Sequence, residues 1–151
     1  MSRAKSYAHF LETLSPSTLN QIDDFVTKDV HFIDPFFDVV GSDKFKNIFL
    51  HMFKTARDFN FKVDDIFEKD EETVIVWTFS AKMFGLSSNF SGVSHIKFDA
   101  KGLVSEHHDY WDSGKNIFAK TPIVGQLLRF VYWRAAKAIR VKRVDSFCKK
   151  Q

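Results

Sequence analysis

Two stretches of this sequence carry the side chains best suited to moving protons: Asp34, directly before Pro35, and the run Ser105-Glu-His-His-Asp-Tyr-Trp111. If that run is a strand, residues two apart share a face. His107, Asp109 and Trp111 then project together while Glu106, His108 and Tyr110 point the other way. An imidazole and a carboxylate on one face, joined by a second carboxylate from Asp34, can divide acid and base roles if their surroundings separate their pKa values. The 18 Phe residues could supply such surroundings, because desolvation raises a carboxylate pKa. The expected chemistry is abstraction or return of a proton on a small apolar substrate by Asp34 or Asp109, with His107 positioning or donating. Plainer readings stand beside it: an Asp before Pro is a common turn residue, and a buried His107–Asp109 pair can simply satisfy itself. His95, His107 and His108 raise a metal site, but alternation sends His95 away from Ser94 and His108 away from His107. No spacing matches a zinc motif, so neither metal nor cofactor is expected.

Helices come first among the elements that must position these groups. Tyr7, Phe10, Leu11 and Leu14 recur at helical spacing, and Ser15-Pro16 supplies a cap and first-turn proline for a second helix with Leu19, Ile22 and Val26. A short strand, Val30 to Asp34, is stopped by Pro35. Gly41-Ser42 begins a helix whose Phe45, Ile48, Phe49, Met52 and Phe53 form one stripe, which needs a sheet to cover it. Strands follow. Phe59, Phe61 and Val63 alternate with polar residues, then come Thr73–Phe79, a connection over Gly85–Asn89, Gly92–Phe98, a turn at Asp99–Gly102, and Leu103–Trp111. Helices before consecutive strands predict an α+β fold with a curved antiparallel sheet packed on the helices. Pro122 and Gly125 precede a last helix, about 123–145, with Leu128, Val131, Tyr132, Ala135, Ala138 and Ile139 as its apolar stripe.

A chain of 151 residues fits one domain, expected over 3–145. Its one cysteine, Cys148, rules out an internal disulfide framework and lies too near the tail to suggest a nucleophile. The opening MSRAKSYAHFLETL lacks the apolar core of a signal peptide, and no segment is apolar enough to span a bilayer, so a cytoplasmic location is expected. Charge is unevenly placed: Arg129–Gln151 holds eight Lys or Arg against one Asp.

The run from Phe10 to Asp34-Pro35 resembles the opening of ketosteroid isomerases. Ser94-His-Ile-Lys-Phe98 and Ser105-Glu-His-His-Asp-Tyr-Trp111 resemble their final hairpin, and the ending His108-Asp-Tyr-Trp-Asp112 is similar to the last strand of limonene-epoxide hydrolases and SnoaL-type polyketide cyclases. All belong to the nuclear transport factor 2-like superfamily. The resemblance implies a cone-shaped barrel with an added C-terminal helix and puts His107, Asp109 and Trp111 inside. It implies a pocket for a small apolar molecule lined by Phe10, Phe36, Phe49, Phe53, Trp77, Ser94 and Trp111. Asp34 matches the isomerases' proton-shuttling base, and Asp109 matches an acid–base Asp of the cyclases and one carboxylate of the hydrolases. The isomerases' oxyanion donors fall on Phe10 and Ser94, and the hydrolases' Arg and second Asp on Thr78 and Ser80. Both of those activities are accordingly disfavoured, and an enzyme and a non-catalytic binding domain stay open as readings.

A homodimer through the sheet is implied by the same resemblance. The basic last helix is expected to pack on its own core, with a lid or a membrane-surface helix as alternatives. Nucleic acid is not an expected partner, since the rest of the chain is net acidic and carries no such motif.

Overall fold

Ser2 starts the first helix, its hydroxyl accepting the Lys5 N–H, and α1 (Arg3–Glu12) buries Ala4, Tyr7, Ala8, Phe10 and Leu11 along one side. The computed structural model describes residues 2–83 and 86–138. Two compact units are present, Met1–Ser113 and Gly114–Gln151.

In the first unit the chain after α1 turns through a reciprocal pair: Thr18 N–H donates to the Ser15 hydroxyl oxygen, and Ser15 N–H to that of Thr18. The expected second helix is only a 3-10 turn, Leu19–Asp24, and Val26 does not belong to it. Val26 opens β1 (Val26–Ile33), where it lies opposite Val104, so strand pairing overrides its helical spacing from Leu19 and Ile22. A tight turn leads to β2 (Asp38–Val40), and Gly41, at φ 116, leads into α2 (Ser42–Thr55).

Three long strands follow: β3 (Ala56–Lys69), β4 (Glu72–Met83) and β5 (Leu86–Phe98), then β6 (Val104–Tyr110). The strand order is β2-β1-β6-β5-β4-β3. The sheet is mixed where a wholly antiparallel one was expected. β1 runs parallel to β6, because the whole α2-to-β5 segment intervenes and returns the chain in the same direction. Leu86–Asn89, expected in a connection, instead pairs with β4. Their Ser and Asn side chains read as a loop, but the ladder with Ser80–Met83 satisfies their backbone.

β4 alternates strictly. Thr73, Ile75, Trp77, Phe79 and Ala81 are buried on the inner face; Val74, Val76, Thr78 and Ser80 face out. Two register shifts in β3, at Arg57/Asn60 and Val63/Asp65, interrupt its ladder with β4, the kind of irregularity that bends a strand. The inner face and the two helices enclose a core that includes Ile22, Val30, Phe45, Ile75, Ile96 and Val104.

In the second unit α3 (Ser113–Asn116) and a 3-10 turn (Phe118–Lys120) lead to α4 (Val124–Ala138). A Cβ on Gly125 would stand 2.5 Å from the Ala119 carbonyl oxygen, so only glycine permits this approach of helix to turn. Arg129 Nη1 donates to the same oxygen at 2.6 Å. Ile139, Cys148 and the expected helix end at 139–145 lie outside the described residues.

Candidate active site

β6 delivers the central residues through its alternation: His107 is buried on the inner face and His108 lies on the outer face, opposite His95 of β5. His107 sits edge-on to the rings of Tyr7, Phe32 and Phe45, with centroids 5.3–5.8 Å away. Both of its nitrogens are engaged. Nδ1 meets the Tyr7 hydroxyl at 2.7 Å, and Nε2 meets Asp109 Oδ1 at 2.8 Å. The imidazole therefore links α1 to the carboxylate and has no nitrogen left for a ligand.

The same Asp109 oxygen accepts a second hydrogen bond, from the Ser94 hydroxyl, and Ser94 in turn accepts from Trp77 Nε1–H at 2.8 Å. Five side chains from four elements thus form one chain: Trp77, Ser94, Asp109, His107, Tyr7. The donor inventory orients it. Indole can only donate, so the Ser94 proton points to Asp109; with Asp109 a carboxylate, His107 Nε2–H also donates to it, and in the neutral imidazole Nδ1 then accepts from Tyr7. Burial first, and the negative charge of Asp109 second, hold the Tyr7 phenol well above its usual range, so it stays a neutral donor. Two donors converge on Oδ1, while Oδ2 makes no hydrogen bond among the described residues.

Asp34 arrives from the other direction, at the end of β1. Its Oδ1 accepts the backbone N–H groups of Phe36 and Phe37 at 2.7 and 2.6 Å, and its own N–H donates to the Phe37 carbonyl. Asp34 is therefore a turn residue in fact. Burial pushes its carboxyl above the usual carboxylate range against the pull of the two N–H donors; the charge of nearby Asp109 adds to the rise and His107 opposes it.

Aromatic rings continue from these groups along the inner face. Trp111 stacks on Phe90 at 4.8 Å and meets the exposed Phe36 edge-on at 5.4 Å. Phe90 touches Phe79, which leads through Phe59 to Phe53 of α2. Phe49 packs on Phe45, whereas Phe10 stacks between Tyr7 and Phe25 in the core behind His107. Phe49, Phe53, Phe59, Phe61, Phe90 and Trp111 are only partly buried.

Thr78 and Ser80 lie on the outer face, where Thr78 donates to Asp64. The inner positions of β4 next to them are Trp77, Phe79 and Ala81, which carry no charge. Outside the site, His95 bonds Glu72 at 3.0 Å and His108 bonds Tyr110 at 2.8 Å. Among the described residues no group of three or more His, Cys, Asp or Glu side chains could hold a metal ion. The residue that spacing alone did not bring into the site is Tyr7. It stands one turn before Phe10 on the same stripe of α1, and the available signal was a hydroxyl in an otherwise apolar stripe, which needs a partner once buried.

A family model described as a SnoaL-like domain matches residues 7–107. Among solved structures, a nuclear transport factor 2-like protein of unknown function from Burkholderia pseudomallei is similar at 18% identity, covering 76% of this chain and 95% of that one, with TM-score 0.67. A putative SnoaL-like polyketide cyclase from Shewanella denitrificans shares 14% identity over 76% and 93% of the two chains, with TM-score 0.65. An epoxide hydrolase of M. tuberculosis shares 17% identity over 89% and 96%, with TM-score 0.64. These likenesses bear on the fold. No curated protein sequence matches the chain.

Proposed function

Since the chain belongs to the SnoaL-like domain family, a fold that carries many unrelated activities, we propose a function read from the site itself. The protein binds a small apolar molecule against the aromatic inner face and moves a proton on it. Asp109 is the base, acting through Oδ2; Asp34, its carboxyl raised, is the neighbouring acid; His107 and Ser94 hold Asp109 in place. A proton transfer of this kind draws on no cofactor. The observation that supports it is the convergence of two donors on one oxygen of a carboxylate among partly buried rings, with the other oxygen left over. Proton transfer on a carbon acid, as in a cyclase or isomerase, suits this set better than epoxide hydrolysis, because β4 sends no charge inward to pair with Asp109.

Nitrobenzisoxazole tests this without knowledge of the natural substrate, since its ring opens on loss of one proton to a coloured cyanonitrophenolate. Asp109→Asn should slow the protein-catalysed reaction about a hundredfold, the usual scale for loss of a general base, while Asp34→Asn has a much smaller effect. A folded Asp109→Asn protein as fast as the parent would sink the assignment.

A further inference from the structure

Charge divides sharply between the two units. Gly114–Gln151 holds ten Lys or Arg against a single Asp, and the other 12 basic and 18 acidic residues lie in Met1–Ser113. Between Gly114 and Ala138 there is no acidic residue at all. The packing inside this basic unit uses one side of α4, where Gly125 and Arg129 meet Ala119 and Lys115 lies over the Tyr132 ring. The rest of the helix carries exposed apolar side chains among its polar ones. Leu127, Phe130, Val131 and Arg134 follow i, i+3, i+4, i+7 spacing, and the three apolar members are 64%, 57% and 50% exposed. Ile123, at the entry to the helix, is 85% exposed. Trp133, half exposed, carries Lys137 over its face at 4.1 Å.

We infer that α4 is a membrane-surface helix, lying along a bilayer that contains anionic phospholipids. Two features choose this partner. Apolar and aromatic side chains stand beside Arg134 and Lys137, the arrangement that lets rings enter the acyl boundary while cationic heads meet phosphate. The sequence then continues with Arg140, Lys142, Arg143, Lys149 and Lys150, extending the same charge. A nucleic acid would be met by the cations but not by Ile123, Leu127 or Phe130. The helix lies on the bilayer and not across it, since no helix among the described residues is long and apolar enough to cross. The inference is independent of the pocket chemistry.

Flotation of the full chain with vesicles tests it, comparing phosphatidylcholine alone with phosphatidylcholine containing a third of phosphatidylglycerol. The chain should float with the anionic vesicles and not with the neutral ones. Arg134→Gln with Lys137→Gln should weaken partitioning about 25-fold, from about fivefold per cation. Leu127→Gln with Phe130→Gln should weaken it at least about tenfold. Both variants change exposed positions and should keep the parent's thermal transition. Absence of flotation with anionic vesicles overturns the inference, as does unaltered binding by the apolar variant. So would a parent dimer that the apolar variant converts to monomer, which assigns the face to a second copy. Binding to polyuridine that anionic vesicles fail to displace would assign it to nucleic acid.

Discussion

Replacing Gly92 with Ala should destabilise the protein, although the same change at an open strand position would stabilise it. Gly92 lies on the inner face of β5 opposite Trp77, and its φ is not in the left-handed region, so the backbone does not require glycine. Where an alanine fits without strain, the gain is about 0.4–1 kcal/mol through the unfolded chain. Here a Cβ would stand 2.5 Å from Trp77 Cη2 and Cζ2 and 3.0 Å from the Tyr110 carbonyl oxygen. The indole has little room to retreat, since Phe61 and Phe90 flank it at 5.2 and 6.2 Å and Nε1 is tied to Ser94. Overpacking of this kind costs about 1–3 kcal/mol, so the net effect is a loss of about 1–2 kcal/mol. The two clashing atoms belong to the ring that phenylalanine lacks. In a Trp77→Phe background, Gly92→Ala should therefore cost markedly less, with a coupling energy of about 1–3 kcal/mol in the cycle. Urea unfolding of the four proteins gives that energy, and tryptophan emission reports whether the indole has moved. Equal cost in both backgrounds, or a Gly92→Ala protein as stable as the parent with unchanged emission, would refute the reasoning.

Tyr7→Phe leaves His107 Nδ1 buried without its donor and should lower stability by about 1–3 kcal/mol by urea unfolding. It should also slow nitrobenzisoxazole opening, because His107 then holds Asp109 less firmly; an unchanged rate and stability would remove Tyr7 from the site. For Asp34 the folded carboxyl is raised above its unfolded value. Its contribution is thus complete below the unfolded pKa and lost as pH rises through the folded one. Asp34→Asn, which keeps an oxygen for Phe36 and Phe37, should match the parent at low pH and exceed its stability at neutral pH. Melting curves across that range decide it, and a variant less stable at neutral pH contradicts the assignment.

What the sequence makes legible here is whatever has a local period. The Phe45–Phe53 stripe and the alternation of Thr73–Phe79 depend only on neighbours in the chain, and both elements form where expected. Val26 and Leu86–Asn89 read otherwise because their strand partners, Val104 and Ser80–Met83, are set by tertiary pairing. The parallel contact of β1 with β6 has no local signature either. Strand parity puts His107 and Asp109 on one face, as observed, and the turn preference of an Asp before Pro, one of the two readings of Asp34, is met in its hydrogen bonds to Phe36 and Phe37. The direct His107–Asp109 hydrogen bond follows from strand geometry, but the link to Tyr7 spans a hundred residues of sequence and no spacing rule reaches it.

The direction of the hydrogen bonds around Asp109 has a consequence for traffic. Trp77 has no lone pair to take up a proton, and the Tyr7 end is buried among Phe10, Phe25 and His107. The five-membered chain is closed at both ends: it is a bracket and not a wire. On the proposed reading, a proton taken up by Asp109 therefore leaves from Oδ2 and not along this chain of hydrogen bonds.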